Sequence, residues 1–498
     1  MSVGGAATRV TLEAFPVPAR RALACLSARL WPAPGWLVGG ALRDALLGQA
    51  VGELDVAVPA GALALGRALA DALPGSGFVV LDEQRGTCRV VSDLQIDIAA
   101  LRAPTLADDL RGRDFTVNGL AASLHDLAVT GSALVEDSTG GLDDLSARIV
   151  RVCGPRSLSD DPLRALRAVR LGIRPGWSLH PTTATAIRET APRVAEVSAE
   201  RVRDALVSIL AEPAGGRGLR LLDRLGVLAV LLPESLPMKE TPQSPPHRFD
   251  VWEHSLRAVD AADLLLARMA ALKPWGPELE RHLAEPLGDG LTRRELLKLA
   301  ALLHDVAKPE TRTVQSGRVR FIGHDARGAE RAAHIAQRWR LSGRAGGALE
   351  RLVRQHLRPM HLAGVGAITR RARYRFFRDL GEEARDLVLL ALADAAAVSG
   401  QSPLAVWAGP GGVVLRELMR GMAEEARAAG TPPLLRGEDV MAAFGLGPGP
   451  EVGRHLARAR EAQALGLVST PAEALQYLRR RPDDGLPALD TSGTAPIE

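Results

Sequence analysis

The stretch Val38-Gly39-Gly40-Ala41-Leu42-Arg43-Asp44-Ala45-Leu46-Leu47-Gly48, with Gly52-Glu53-Leu54-Asp55-Val56-Ala57-Val58 close behind it, decides how the first third of this chain is read. The apolar residues ahead of the paired glycines read as a strand end, and the residues after the glycines as a helix start carrying Arg43. A turn of that kind exposes backbone N–H groups at a helix N-terminus, which suits phosphate. The second segment reads as a strand, and strand side chains at i and i+2 share a face, so Glu53 and Asp55 aim at one spot. Converging carboxylates beside a glycine turn suit a divalent ion carrying a nucleoside triphosphate, because Mg²⁺ takes oxygen ligands and keeps phosphate oxygens in its shell. Asp97, in Gln95-Ile96-Asp97-Ile98, offers a third carboxylate from a later strand. Alone, such a pair is also what a solvated strand face shows.

Outward from this stretch, short apolar runs between Leu37 and Leu101 alternate with turn signals and one helical segment from Gly61 to Leu73, which predicts an α+β unit with a small sheet. From Pro162 onward apolar residues recur at steps of three and four, as in Leu256, Val259, Ala262 and Leu266, so the rest reads as essentially all helix. Pro and Gly clusters at Trp31–Trp36, Pro233–His247 and Gly400–Gly412, and again from Arg481, punctuate it. At 498 residues the chain exceeds one hydrophobic core. Its 46% hydrophobic and 24% charged residues are those of a globular protein. No run approaches the roughly 18 apolar residues of a spanning helix and no signal peptide opens it, so the expected location is cytoplasmic. Cys25, Cys88 and Cys153 form no CxxC pair and read as core residues in a reducing compartment. A net charge of +4 permits a polyanionic partner without requiring one.

Four more ordered motifs lie downstream: Asp109-Leu110-Arg111-Gly112-Arg113-Asp114-Phe115-Thr116-Val117-Asn118-Gly119, Gly140-Gly141-Leu142-Asp143-Asp144-Leu145, Asp160-Asp161-Pro162-Leu163-Arg164-Ala165-Leu166-Arg167-Ala168-Val169-Arg170, and Ser198-Ala199-Glu200-Arg201-Val202. Together with the opening stretch they resemble the class II tRNA nucleotidyltransferase and poly(A) polymerase family. The resemblance implies a polymerase-β-like head in which Glu53, Asp55 and Asp97 are catalytic, Glu53 and Asp55 hold Mg²⁺, and Gly40, Arg43, Arg113, Asp161, Arg164, Arg167 and Arg170 handle CTP or ATP, with tRNA as partner. Glu53 stands where the family usually has Asp, and Asp160 where it usually has Glu.

The local chemistry agrees. Asp160 or Asp161 before Pro162 reads as a helix cap, and Arg164, Arg167 and Arg170 come after it at steps of three, within reach of one cleft. Cytosine and adenine both offer an exocyclic amine donor beside a ring-nitrogen acceptor, and uracil and guanine the reverse. One carboxylate and one guanidinium, Asp161 and Arg164, therefore accept C and A and leave buried polar groups unpaired against U or G.

Farther on stand His254, the pair His304-Asp305 in Leu302-Leu303-His304-Asp305-Val306-Ala307-Lys308-Pro309, then His324, His356 and Asp394. Imidazole and carboxylate together bind first-row divalent metals. The ordered set resembles the HD phosphohydrolase superfamily, which implies a divalent transition metal or Mg²⁺ on His254, His304, Asp305 and Asp394, and hydrolysis of phosphoesters such as 2′,3′-cyclic phosphate ends by metal-activated water.

The expected organisation is an N-terminal extension (1–34), nucleotidyltransferase head (35–150), helical neck (151–236), HD domain (247–400), helical tRNA-binding region (401–480) and flexible tail (481–498). Two rivals remain: a poly(A) polymerase, and an HD phosphohydrolase with a degenerate RNA-binding head. CCA-adding relatives carry a long flexible loop between the third-carboxylate strand and the Arg-Asp-Phe-Thr motif. Here only Arg102 through Gly112 fills that place, which leans toward an enzyme that adds CC.

Overall fold

The computed structural model describes residues 8–364 and 368–480, so the expected tail lies outside the described residues. The chain divides into two compact units. One runs to Val197 and takes in Leu221–Leu231; the other comprises Ser198–Arg220 and the chain from Leu232. The stretch expected as a neck, 151–236, is thus shared between them, with the helix Ala199–Ala211 in the second.

The first unit is built on eight strands: β1 (Arg9–Thr11), β2 (Trp36–Val38), β3 (Glu53–Val58), β4 (Gly77–Asp82), β5 (Thr87–Val91), β6 (Gln95–Ala100), β7 (Leu120–Ser123) and β8 (Ser132–Asp137). They form one sheet in the order β1-β8-β7-β2-β3-β6-β5-β4, antiparallel throughout except for the parallel pair β3–β6. Between strands run α1 (Val17–Leu30), α2 (Gly39–Leu46), α3 (Ala62–Ala72), α4 (Leu106–Arg111) and α5 (Leu124–Thr130), with α6 (Gly141–Ala147) and α7 (Arg164–Gly172) beyond. Along β3, Leu54, Val56 and Val58 are buried on one face while Glu53 and Asp55 stand on the other, where Ala57 packs with Val38, Leu110 and Ala121. The acidic face is therefore floored by apolar side chains, as period-two alternation requires.

Residues 9–30, expected as part of an extension, belong to this unit. Strand β1 pairs with β8 through Arg9↔Leu134 and Val10↔Ala133, and Val10, Phe15, Leu23 and Leu26 are buried. Pairing covers an otherwise open sheet edge. Of the cysteines only Cys88 is fully buried; Cys25 and Cys153 are partly so.

In the second unit the helices Val251–Ala267, Arg293–Leu303, His324–Arg338, Gly343–Gln355 and Glu383–Ser399 carry the core. The all-helix expectation misses two hairpins here, Pro286–Gly288 with Leu291–Thr292 and Arg312–Gln315 with Arg318–Phe321. In the second hairpin the two turn residues, Ser316 and Gly317, both have positive φ, as a type I′ turn demands. The helices Gly437–Phe444, Pro450–Ala464 and Pro471–Arg480 enclose a small core of their own around Val440, Val452, Ala462 and Leu478. Among the described residues no helix is long and apolar enough to cross a membrane.

Candidate active sites

In the first unit, β2 delivers Gly39 and Gly40 at the start of α2, and its antiparallel pairing with β3 sets Val38 opposite Asp55. Gly39 has φ +72°, and a Cβ there would stand 2.7 Å from Asp55 Oδ2. Only glycine meets both demands. Burial raises the Asp55 carboxyl, and Glu53 and Asp97 raise it further, while Arg113 and the Gly40 N–H oppose; the result is about 6 instead of 3.8. A cation at this place relieves the cost of ionising Asp55.

Asp97 stands beside Asp55 in the parallel register, but Arg89 of β5 donates to both its oxygens at 2.8 and 2.9 Å. Its carboxylate is already neutralised. Glu53 is exposed and faces the same spot as Asp55.

The arginines expected to handle the nucleotide are held by carboxylates and amides. Arg43, 7% exposed, donates to both oxygens of Asp44 and, at 2.6 Å, to Asn118 Oδ1. Asn118 in turn donates to Asp114 Oδ1 at 3.0 Å, and Arg167 lies 4.0 Å from the other Asp114 oxygen. Arg113 donates to Asp109, whose other oxygen accepts the Arg102 N–H. The Gly140–Leu145 motif has a scaffold role: Asp144 accepts from Thr116 Oγ1 and from both arms of Arg151.

The segment expected to read the base departs from its expected cap. Helix α7 begins at Arg164, with Leu163 as N-cap, and the chain enters it through i→i−3 turns from Asp161, Pro162 and Leu163. Asp160 is exposed, and Asp161 Oδ1 accepts the Leu163 N–H at 3.2 Å. Arg164 is buried, donates Nη1 to Ser157 O at 2.8 Å, and leaves its Nε–H without a partner. Arg167 and Arg170 are exposed on the same helix.

In the second unit, a Thr292–Glu295 capping box starts the helix Arg293–Leu303, which ends on His304 and Asp305. Around this corner gather His254 from Val251–Ala267 and Asp394 from Glu383–Ser399. His254 Nε2 lies 3.2 Å from His304 Nε2 and 3.0 Å from Asp394 Oδ1, and His304 Nε2 lies 3.2 Å from Asp305 Oδ2. All four expected ligands therefore meet. Asp305 Oδ2 and Asp394 Oδ1 are buried and accept no hydrogen bond: the nearby imidazoles, and Lys308 Nζ at 2.6 Å from Asp305, stand off the line a hydrogen bond needs. Orphaned carboxylate oxygens among imidazole nitrogens fit a divalent cation. Burial raises Asp305, but His304 and Lys308 outweigh it and hold the carboxylate well below its usual range.

Three further side chains meet this corner. His324 and His356 belong to the ordered sequence set but not to its four expected ligands, and both come within 3.6 Å of Asp305 Oδ1. His247 lies edge-on to His254, ring centroids 5.2 Å apart; burial, then Lys308 and His254, lower it to about 4. Only its loop position ahead of His254 marks it in the sequence.

Comparison with known proteins agrees with this geometry. Residues 35–105 and 95–151 match the poly(A) polymerase head domain, 176–238 the probable RNA- and SrmB-binding site of polymerase A, and 251–398 the HD domain. The chain is 37% identical to an A-adding tRNA nucleotidyltransferase of Deinococcus radiodurans, over 90% of this chain and 96% of that one. It is 36% identical to a CC-adding tRNA nucleotidyltransferase of Thermus thermophilus, over 90% and 93%. Among solved structures, a CCA-adding enzyme in complex with ATP has a TM-score of 0.62 at 19% identity, covering 95% of this chain and 97% of that one. The Thermotoga maritima CCA-adding enzyme complexed with tRNA has a TM-score of 0.57 at 20% identity, covering 94% and 95%.

Proposed function

The chain belongs to the tRNA nucleotidyltransferase family, and we propose that it adds C residues to the tRNA 3′ end and stops short of the terminal A. In this reading the RNA 3′ hydroxyl attacks the α-phosphorus of CTP and pyrophosphate leaves. Glu53 and Asp55 would hold a Mg²⁺ ion, which supplies a Lewis acid for the phosphate and hydroxyl oxygens. The chain's own groups do the positioning. Gly39 and Gly40 leave room for phosphate at the start of α2, and Arg43, locked by Asp44 and Asn118, adds fixed positive charge. Arg89 compensates Asp97, which then serves to tune Asp55 rather than to bind metal.

Base choice falls to Arg164 and Asp161. A buried guanidinium Nε–H without a partner fits the ring-nitrogen acceptor of cytosine, and the Asp161 carboxylate the exocyclic amine. The observation that carries the CC reading is the link between β6 and Arg113. It is filled by α4, capped by Thr105 and tied down where buried Asp109 accepts from Arg102 N and Arg113. A segment so short and so bonded leaves no lever for switching the site from C to A. Relatives of both specificities, at 37% and 36% identity, do not discriminate on their own. The A-adding relative supports a second reading in which this chain completes ends already carrying CC.

We further propose that the HD domain hydrolyses phosphoesters at RNA 3′ ends, with His254, His304, Asp305 and Asp394 as metal ligands; the orphaned carboxylate oxygens support this. Sequencing the products formed on tRNA lacking its last three nucleotides, with CTP and ATP together, tests the base assignment. Ends terminating in CC are expected. Complete CCA ends would overturn it, and addition of A alone to CC-ended tRNA would select the second reading.

A further inference from the structure

The hairpin Arg312–Gln315 with Arg318–Phe321 has two unlike faces. Residues directly opposite one another on an antiparallel pair share a face. Thr313, Gln315, Arg318 and Arg320 therefore lie on one side, and Arg312, Val314, Val319 and Phe321 on the other. The first face is exposed at all four positions, whereas Val319 and Phe321 are half-buried. The hairpin is thus fastened through its apolar face and turns its basic face to solvent. We propose, on the reading of the HD corner as a site for phosphoesters at RNA 3′ ends, that this basic face binds the phosphate backbone of a single-stranded RNA 3′ end and leads it into that corner.

Residues 312–323 hold three arginines and no acidic residue. On the helix that follows, arginines are matched: Arg327 and Arg331 both pair with Glu310, and Arg338 pairs with Glu234. Among the described residues, the guanidinium groups of Arg312, Arg318 and Arg320 have no carboxylate within ion-pair distance. Like charges on one strand face repel, and a polyanion removes that cost. Arg318 and Arg320 are two residues apart on one strand, hence spaced by about 6.6 Å. Their row runs from the Ser316-Gly317 turn toward His324. A line of cations suits a linear polyanion better than a compact one, and the arginine fork matches phosphate oxygens in pairs. Two apolar side chains on and just after the hairpin, Val314 and Ile322, are 58% and 69% exposed, which suits contact with unstacked bases.

The other face ties the hairpin to the corner. Ser244 Oγ accepts from the Val319 N–H at 2.9 Å, and Phe321 O accepts from His324 Nδ1 at 2.6 Å. Lys308 Nζ lies 5.3 Å from the centroid of the Phe321 ring and 2.6 Å from Asp305 Oδ2. A single lysine side chain therefore spans from the hairpin to one of the expected metal ligands. RNA laid along Arg318 and Arg320 has its end at the place where the orphaned carboxylate oxygens gather.

The test compares two substrates on the full chain with divalent metal and without nucleotides: a short RNA ending in a 2′,3′-cyclic phosphate, and bis(p-nitrophenyl) phosphate, a diester too small to lie along the hairpin. In Arg318→Gln/Arg320→Gln, kcat/KM for the RNA relative to the small diester should fall about 10-fold or more, through KM rather than kcat. The salt slope of the RNA reaction should shrink by about 1.4, as two lost single-strand phosphate contacts require. An unchanged ratio, an unchanged slope, or an equal loss on both substrates would overturn the proposal. A second readout needs no hydrolysis: the parent chain is photocrosslinked to the same RNA ending in a 3′ hydroxyl and carrying 4-thiouridine near that end. Crosslinks within residues 312–322 are expected, and their absence would overturn the proposal. Cleavage of neither substrate, with those crosslinks present, would sink the hydrolase reading and leave the RNA surface standing.

Discussion

Replacing Asp55 with Asn should abolish nucleotide addition and yet stabilise the ion-free protein. The carboxyl is raised from 3.8 to about 6, by burial first and then by Glu53. At about 1.4 kcal/mol per unit the displacement is worth about 3 kcal/mol. Asp55 is only half-buried, so water screens part of it and ~1–2 kcal/mol remains. The sign comes from linkage. Below pH ~4 both folded and unfolded chains hold the proton, and the group costs nothing. Between pH ~4 and ~6 the folded chain keeps a proton the unfolded chain has released, and stability falls as pH rises. Above ~6 the full cost is present. The asparagine retains shape and an acceptor for the Gly40 N–H but never ionises. Thermal unfolding in chelator should therefore give a transition of the first unit ~3–6 °C higher for Asp55→Asn at pH ~7.5, shrinking to nothing near pH ~4, and Mg²⁺ with CTP should raise the transition of the parent far more than that of the variant. A variant no more stable than the parent at neutral pH, or a gap that persists unchanged in acid, would show that Asp55 carries no strained charge.

Arg164→Ala should relax base choice as well as slow the reaction, lowering CTP preference over UTP by about 10–100-fold; rate loss with unchanged preference would make Arg164 a packing residue. In the second unit, Arg293 is fully buried and donates to Asp386, Glu285 and Glu382 at 2.7, 2.7 and 2.8 Å. Arg293→Met strands the equally buried Asp386, with only His282 at 3.1 Å left beside it, and should cost about 3–5 kcal/mol by denaturant unfolding; a cost under about 1 kcal/mol would contradict the burial argument. His304→Ala should remove metal-dependent phosphoester hydrolysis while sparing CTP incorporation, and hydrolysis that persists undiminished would sink the HD ligand assignment.

Short-range periodicity and ordered motifs were the legible part of the sequence. The convergence of Glu53 and Asp55 comes from period two alone, and the meeting of His254, His304, Asp305 and Asp394 from their order. Long-range register was not legible. That Asp97 lies beside Asp55, and that Arg89 claims it, depends on which strands neighbour β6. Strand β1 is three residues long, too short for any period to show, so residues 9–30 read as an extension. The cap expected at Asp160 or Asp161 failed because Pro162 lies in the lead-in turns rather than at the first helical position. His324 and His356 are 32 residues apart, and only helix packing brings their Nε2 atoms together. The Ser316-Gly317 hairpin carried a turn signal that the surrounding helical periodicity concealed.

The most direct measurement is incorporation of labelled CTP into tRNA lacking its terminal CCA, by the parent chain, Asp55→Asn and His304→Ala side by side. Incorporation by the parent and by His304→Ala, stopping after two residues, with none by Asp55→Asn, is the expected result. Incorporation that survives in Asp55→Asn, or none by the folded parent with Mg²⁺ present, would contradict the claim that the first unit transfers nucleotides through Glu53 and Asp55.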